Sequence, residues 1–211
     1  LISALFFDFD GLILDTETPE VNAWRWLFES HGHKYPDEVW MNIVGRGPDQ
    51  VAEQPEILLK RLAGLDESPE SIRLRFRERY WANFELVPRP GAIELLEQGK
   101  AKGIHQCIVS SSLHSWVDDF VEKLGIGHYF ERTICREDAA RSKPAPDLYL
   151  KALELMQVEA KSVIVLEDSQ NGVAAAHSAG LYVIACPNEV TKHLDFSLAS
   201  RVVDSLLEVN L

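Results

Sequence analysis

A chain of 211 residues with 46% hydrophobic content can bury a full core in one domain plus a modest insertion, without disulfides or a structural metal. Its 33 acidic and 21 basic residues leave a formal charge of −12, a field that repels nucleic acid and anionic membranes, and no apolar run approaches the roughly 18 residues of a membrane span. A soluble, cytoplasmic protein without nucleic-acid or membrane partners is expected, in which any anionic ligand must be met by local positive charge.

The chain opens on Leu1, so an initiator and a few further residues are expected upstream, and the residues present show no signal-peptide pattern. The first short apolar run with strand character is Ala4 to Phe7. From about Thr16 to Pro88 the patterns are helical, with no convincing strand: Val21, Trp24, Leu27 and Phe28; Ile57, Leu58, Leu59 and Leu62; Ile72, Phe76, Tyr80 and Phe84. Trp24, Trp26, Trp40 and Trp81 fall inside this stretch, enough bulk to give it a small core of its own. Pro88, Pro90 and Gly91 mark the return to the main domain. Strand-like runs then recur at 106–109, 132–135, 163–166, 182–186 and 201–203, with helical patterns between them around Trp116 to Leu124 and Leu148 to Met156. Alternating strands and helices, with the strands continuously apolar, predict an α/β fold: a Rossmann-like parallel-sheet core in 1–15 and 89–211, interrupted by an all-helical insert in 16–88. Cys107, Cys135 and Cys186 show no CxxC spacing and lie in the apolar runs, so they read as buried free thiols in a reducing compartment.

The first strand runs into Asp8-Phe9-Asp10-Gly11, two carboxylates at the carboxyl end of a buried strand, the edge where open α/β sheets bind ligands. Alone this could equally be an acidic turn that caps the strand. Three further signals follow in order. Ser110 closes the second strand, where its hydroxyl and adjacent amides suit phosphate oxygens, or where it simply caps the next helix. Lys143 sits in Ser142-Lys143-Pro144-Ala145-Pro146-Asp147, just before a helix expected to start near Pro146. Glu167 and Asp168 end the strand at 163–166, and Ser169 opens the next helix. Together these groups offer hard oxygen ligands for Mg²⁺ from Asp8, Asp168 and Glu167, and a lysine to neutralise a nucleophile and phosphoryl oxygens. Phosphoryl transfer asks for an in-line nucleophile, charge stabilisation and a proton for the leaving oxygen, and all three roles have a candidate.

Asp8-Phe9-Asp10-Gly11, Ser110, Lys143-Pro144 and Glu167-Asp168 resemble the four motifs of the haloacid dehalogenase superfamily, over nearly the whole chain. The insert's position and the opening Asp8-Phe9-Asp10-Gly11-Leu12-Ile13-Leu14-Asp15-Thr16 are similar to the beta-phosphoglucomutase-like subfamily. The resemblance implies a mobile four-helix cap over the core and an aspartyl-phosphate formed on Asp8. It implies that Asp10 protonates the leaving oxygen and then activates water, while its backbone carbonyl joins the magnesium shell. Dehalogenases lack the second aspartate that Asp10 supplies, and the family's phosphonate hydrolases carry a small residue there.

The resemblance says less about substrate. Val44-Gly45-Arg46-Gly47-Pro48 resembles the cap's specificity loop, which makes Arg46 a substrate-binding candidate beside Ser111 and Glu20. Arg73 and Arg77 share one helical face and Arg75 and Arg79 another, so at most one pair looks toward the site; most of them are expected on a solvated face paired with Glu70 and Glu78. His31 and His33 have no third ligand nearby in sequence and are expected at the surface. Mutases of the subfamily carry histidine where this chain has Glu20, and a lysine and an arginine where it has Val44 and Pro48. A magnesium-dependent phosphatase of a small phosphorylated metabolite, a sugar phosphate for preference, is therefore expected, and as a monomer. The alternatives are a sugar-phosphate mutase and a non-catalytic phospho-ligand binder, the second disfavoured by the intact Asp8, Asp10, Lys143 and Asp168.

Overall fold

The computed structural model describes residues 1–45 and 53–211. Six parallel strands form the sheet: β1 Ala4–Phe7, β2 His105–Val109, β3 Arg132–Ile134, β4 Val163–Glu167, β5 Tyr182–Ala185 and β6 Arg201–Val202, in the order β3-β2-β1-β4-β5-β6. The expected runs match these strands to within a residue at each end. The chain winds outward from β1 to β3 and then returns to place β4 on the other flank of β1, so the direction of winding reverses between β1 and β4. Crevices at such reversals bind ligands outside the strands' carboxyl ends. The register makes this specific: Phe7 lies opposite Leu166, so Asp8 and Glu167 emerge side by side, and the Asp8 amide donates to the Leu166 carbonyl at 3.0 Å.

Both faces of β1 are covered, which is why all its residues are apolar and buried. Leu5 and Phe7 point into a cluster shared with helices α5 (Ala92–Ala101) and α6 (His114–Leu124). Ala4 and Phe6 point into the opposite cluster, with α7 (Asp147–Met156) and α8 (Gln170–Ser178). The three cysteines are free and buried.

Between β1 and α5 run helices α1 (Glu17–Ser30), α2 (Asp37–Ile43), α3 (Pro55–Ala63) and α4 (Pro69–Asn83), with no strand among the described residues there. Val21, Trp24, Phe28, Trp40, Leu59 and Ile72 build their common apolar cluster. Only two of the four tryptophans expected in that core fill it: Trp26 and Trp81 are exposed, because each lies off the buried face of its helix. An isolated antiparallel bridge between Leu14 and Pro88 holds together the two points where the chain leaves and rejoins the core. The helices touch the core through Trp40 Nε1, which donates to the Val190 carbonyl, and through Asn171 Nδ2, which donates to Val44 O at 2.8 Å. Among the described residues no helix is long and apolar enough to cross a membrane.

Candidate active site

The carboxyl edge of β1 and β4 gathers Asp8, Glu167, Asp168 and Lys143, each less than one-tenth exposed. Lys143 Nζ donates to Asp8 Oδ1 at 2.5 Å, to Glu167 Oε1 at 2.7 Å and to the Val109 carbonyl at 2.7 Å. It thereby spends all three of its donors on the ends of β1, β2 and β4. Tyr149 donates a second bond to Glu167 Oε1 at 2.6 Å, while Glu167 Oε2 accepts from the Asp168 amide and the Ser169 hydroxyl. Helix α8 passes so close above Glu167 that a Cβ on Gly172 would lie 1.9 Å from its Oε1. On the other side, a Cβ on Gly11, which also has φ +76°, would lie 2.1 Å from Asp168 Oδ2.

One ammonium faces three carboxylates here. Burial pushes the Asp8 carboxyl well above its usual range; Lys143 opposes the rise, while Glu167 and Asp168 add to it. Asp168 is raised by burial and then by Glu17 and Glu167. Burial pulls the Lys143 ammonium down, but Asp8 and Glu167 outweigh it and hold its pKa well above the ordinary value. The excess negative charge is what a divalent cation would offset. Asp8, Glu167 and Asp168 can each present an oxygen within 4.8 Å of the others, and Asp168 Oδ1 is buried with no hydrogen-bond partner among the described residues. An all-oxygen donor set with one buried vacant carboxylate oxygen fits Mg²⁺.

Asp10 stands two residues from Asp8. Its Oδ1 accepts from Thr16 Oγ1 at 2.9 Å and from Trp116 Nε1 at 2.8 Å; its Oδ2 accepts from Ser112 Oγ at 2.6 Å and from Ser110 Oγ at 3.4 Å. Ser110 does not cap α6, whose N-cap is Leu113; its Oγ accepts from the Ser112 amide instead. Ser111 donates to the Gly45 carbonyl at 3.1 Å, joining the motif to the end of α2.

Asp8, Asp10 and the three serines open onto a cavity of about 410 Å³ whose far side belongs to the helical insert. Glu20 lines it, as do aromatic residues from α1, α2, α4 and α6. Of the four arginines of α4, Arg73 and Arg77 reach the cavity and Arg75 and Arg79 do not, as the helical-face argument requires. Their partners differ from those expected from sequence. Arg73 pairs with the buried Glu56, Arg75 pairs with Glu67 and contacts His31, and Arg79 lies over the Trp26 ring at 5.1 Å. Glu70 and Glu78 are near in sequence, but the crossing of α3 over α4 brings Glu56 to Arg73. Arg46 lies outside the described residues.

A family model described as haloacid dehalogenase-like hydrolase matches residues 5–186. The chain belongs to that family. It is 34% identical to the Bacillus subtilis protein YhcW over 212 residues, covering 100% of this chain and 95% of the relative. It is 32% identical to the Thermotoga maritima "Phosphorylated carbohydrates phosphatase" over 182 residues, covering 85% and 82%. Among solved structures, CbbY from Rhodobacter sphaeroides in complex with phosphate aligns with a TM-score of 0.73 at 26% identity, covering 99% and 96% of the two chains. The fold of beta-phosphoglucomutase from Clostridium difficile aligns with a TM-score of 0.72 at 22% identity, covering 100% and 94%. The chain is a phosphoric monoester hydrolase of the haloacid dehalogenase superfamily, in its beta-phosphoglucomutase-like branch, to which a Thermotoga maritima structure described as a "putative beta-phosphoglucomutase" also points, aligning with a TM-score of 0.74 at 27% identity over 96% and 94% of the two chains.

Within this haloacid dehalogenase fold, several groups at the site were not singled out by the sequence reading. Ser112, Thr16 and Trp116 supply three of the four donors to Asp10. Asn188 Nδ2 donates to Glu17 Oε2 at 2.6 Å and to Asp168 Oδ2 at 2.7 Å, leaving Asp168 Oδ1 as the vacant oxygen. Glu17 was legible in principle. It shares the buried face of α1 with Val21, Trp24 and Phe28, and an acidic residue on an apolar stripe demands an explanation.

Glu20 carries a pH prediction. Burial, then Asp10, raises its carboxyl from 4.5 to about 7. A raised folded-state value means the folded protein binds the proton more tightly than the unfolded chain, so this contribution to stability is present below about pH 4.5 and lost as pH rises toward 7. Glu20→Gln removes the titration. Its melting temperature relative to wild type is expected to rise between pH 5 and pH 8, and a difference that is flat with pH, followed by thermal unfolding in EDTA, would refute the assignment.

Proposed function

We propose that this chain hydrolyses phosphate monoesters of small hydroxylated metabolites, sugar phosphates among them, by transferring the phosphoryl group to Asp8 and then to water. The observation that carries this reading is the geometry around Asp8: Lys143 occupies Oδ1, while Oδ2 accepts no hydrogen bond among the described residues and remains available to attack phosphorus. Asp8 Oδ2 forms the new P–O bond as the ester P–O bond breaks, and Asp10 passes a proton to the departing oxygen. Asp10, now a carboxylate, takes a proton from water as that water attacks the aspartyl-phosphate, which restores Asp8 and releases phosphate. Ser110, with a hydroxyl beside Asp10, is read as a donor to phosphoryl oxygens.

Magnesium would be held by Asp8 and Asp168 with the Asp10 carbonyl, and when bound would supply positive charge to the phosphoryl oxygens. Glu167, with both oxygens engaged by donors, is read chiefly as the anchor of Lys143. Residues 16–88 are read as a cap domain over the cavity, with Glu20, Ser111 and Arg46 as substrate-side positions, in a cytoplasmic monomer. The mutase alternative requires a cationic grip on a second phosphate, and the positions that supply it in mutases hold Glu20, a buried Val44, and Pro48.

The deciding assay follows phosphate release with Mg²⁺ across sugar phosphates, nucleotides and phospho-acids, together with a hexose 1-phosphate plus catalytic bisphosphate. Phosphate without isomer is expected; isomer appearing much faster than phosphate would assign a mutase instead.

The donors to Asp10 give a second test. Asp10→Asn should lose ~10²–10⁴-fold in kcat on an alkyl phosphate and less on an aryl phosphate, whose leaving oxygen hardly needs a proton. Trp116→Phe keeps an aromatic ring, though a smaller one, but removes the N–H that orients Oδ1, so a smaller loss with the same leaving-group dependence is expected. Equal losses on both esters would show that Trp116 merely packs.

A further inference from the structure

The hydroxyl of Tyr80 has no part in the phosphoryl transfer to Asp8. Tyr80 lies on α4 and is 6% exposed, yet its Oη has no hydrogen-bond partner among the described residues. A buried hydroxyl without a partner is costly, and such groups in folded proteins usually answer to a bound ligand or water. Tyr80 lines the same cavity as Asp8, Asp10 and Glu20. Burial, and then the carboxylates of Glu20 and Asp10 that line the cavity with it, push its phenol above the ordinary range. Its ring is fixed by neighbours: Trp81 at 4.9 Å and Phe84 at 5.6 Å between centroids. The hydroxyl is thus held in place before any ligand arrives.

Glu20 and Tyr80 are complementary in what they offer. Glu20 accepts as a carboxylate and also donates when protonated, and a phenol both donates and accepts, so the two together suit a group that does the same, an alcohol. Trp24 and Phe76, stacked at 4.1 Å, form an apolar wall nearby, suited to the C–H face of a carbon skeleton. A second phosphate would be poorly served beside Glu20, and a plain alkyl chain would leave the phenol unpaired.

We propose that Tyr80 and Glu20 form a hydroxyl-recognition subsite, so that the preferred leaving groups are polyols and Tyr80 determines specificity rather than chemistry. The proposal rests on the phosphatase reading. Tyr35 provides an internal control, because its hydroxyl is also buried and unpartnered among the described residues but it is not among the residues lining the cavity.

The test measures kcat and KM for a hexose 6-phosphate, glycerol 1-phosphate and propyl phosphate with wild type, Tyr80→Phe and Tyr35→Phe. Wild type should prefer the hydroxylated esters. Tyr80→Phe should raise KM for these by about three- to tenfold, with kcat and the propyl phosphate constants little changed. Tyr35→Phe should leave the preference intact. An equal effect on all three esters, no effect of Tyr80→Phe, or a wild type that does not distinguish propyl from glycerol phosphate would overturn the subsite. The wild-type comparison stands even if a variant fails to fold. A wild type inactive on all three esters and on an aryl phosphate would instead overturn the phosphatase reading on which the subsite rests.

Discussion

Asp8→Asn is expected to reduce turnover by at least ~10⁴-fold while leaving the protein folded. The asymmetry comes from the charge balance around Lys143. Replacing the carboxylate by an amide removes the nucleophile, but it also removes one of the three negative charges buried at this edge, one that both Glu167 and Asp168 oppose. Lys143 keeps Glu167 Oε1 and the Val109 carbonyl, and can still donate to the amide oxygen of Asn. The melting temperature in EDTA should therefore stay level or rise, in contrast to the loss of activity. In wild type, beryllium or aluminium fluoride with Mg²⁺ should form an adduct at Asp8, and EDTA should abolish turnover. Residual activity of Asp8→Asn within tenfold of wild type would refute nucleophilic catalysis by this residue.

Much of this site was legible before any coordinates, for a topological reason. Asp8, Ser110, Lys143, Glu167 and Asp168 each border a short apolar run or a helix start, and in a parallel sheet the carboxyl ends of neighbouring strands share one edge. Reading the strands correctly was enough to bring the motifs together. The insert was harder. Three helical patterns were visible, whereas α2 spans seven residues, fewer than two turns, and gives no measurable period. Helix α5 was likewise not singled out, since its buried positions include Ala92 and Gly99, which carry little hydrophobic signal. The least legible groups were those whose role depends on side-chain direction. Trp116 sits on the apolar stripe of α6 with Val117 and Phe120 and reads as core, yet its N–H reaches Asp10. Asn188 follows β5 in an ordinary loop, and only the fold brings it to Glu17 and Asp168. Conversely, helical geometry alone decides which arginines of α4 can look the same way, and Arg73 and Arg77 do so.

The second large effect is on stability and centres on Lys143. Lys143→Met keeps the length and bulk of the side chain but removes the only ammonium from among Asp8, Glu167 and Asp168. Removing one partner of a buried ion pair costs about 3–5 kcal/mol, because the remaining charge stays desolvated and unpaired. For a chain of this size that corresponds to a fall in melting temperature of roughly 6–20 °C. Glu167 is the carboxylate most exposed to this loss, since it is fully buried and cannot turn toward solvent, whereas Asp8 borders the cavity. Glu167→Gln alone should also destabilise, by taking a partner from Lys143 and Tyr149. The double variant Lys143→Met/Glu167→Gln should then recover part of the single-variant losses, because the charge left stranded by the first change is neutralised by the second. Thermal unfolding of the four proteins in EDTA closes this cycle. Strictly additive losses would mean that Lys143 and Glu167 act independently, and a Lys143→Met variant melting within 2 °C of wild type, against the ~6 °C minimum above, would show that the ammonium is not what holds this edge together.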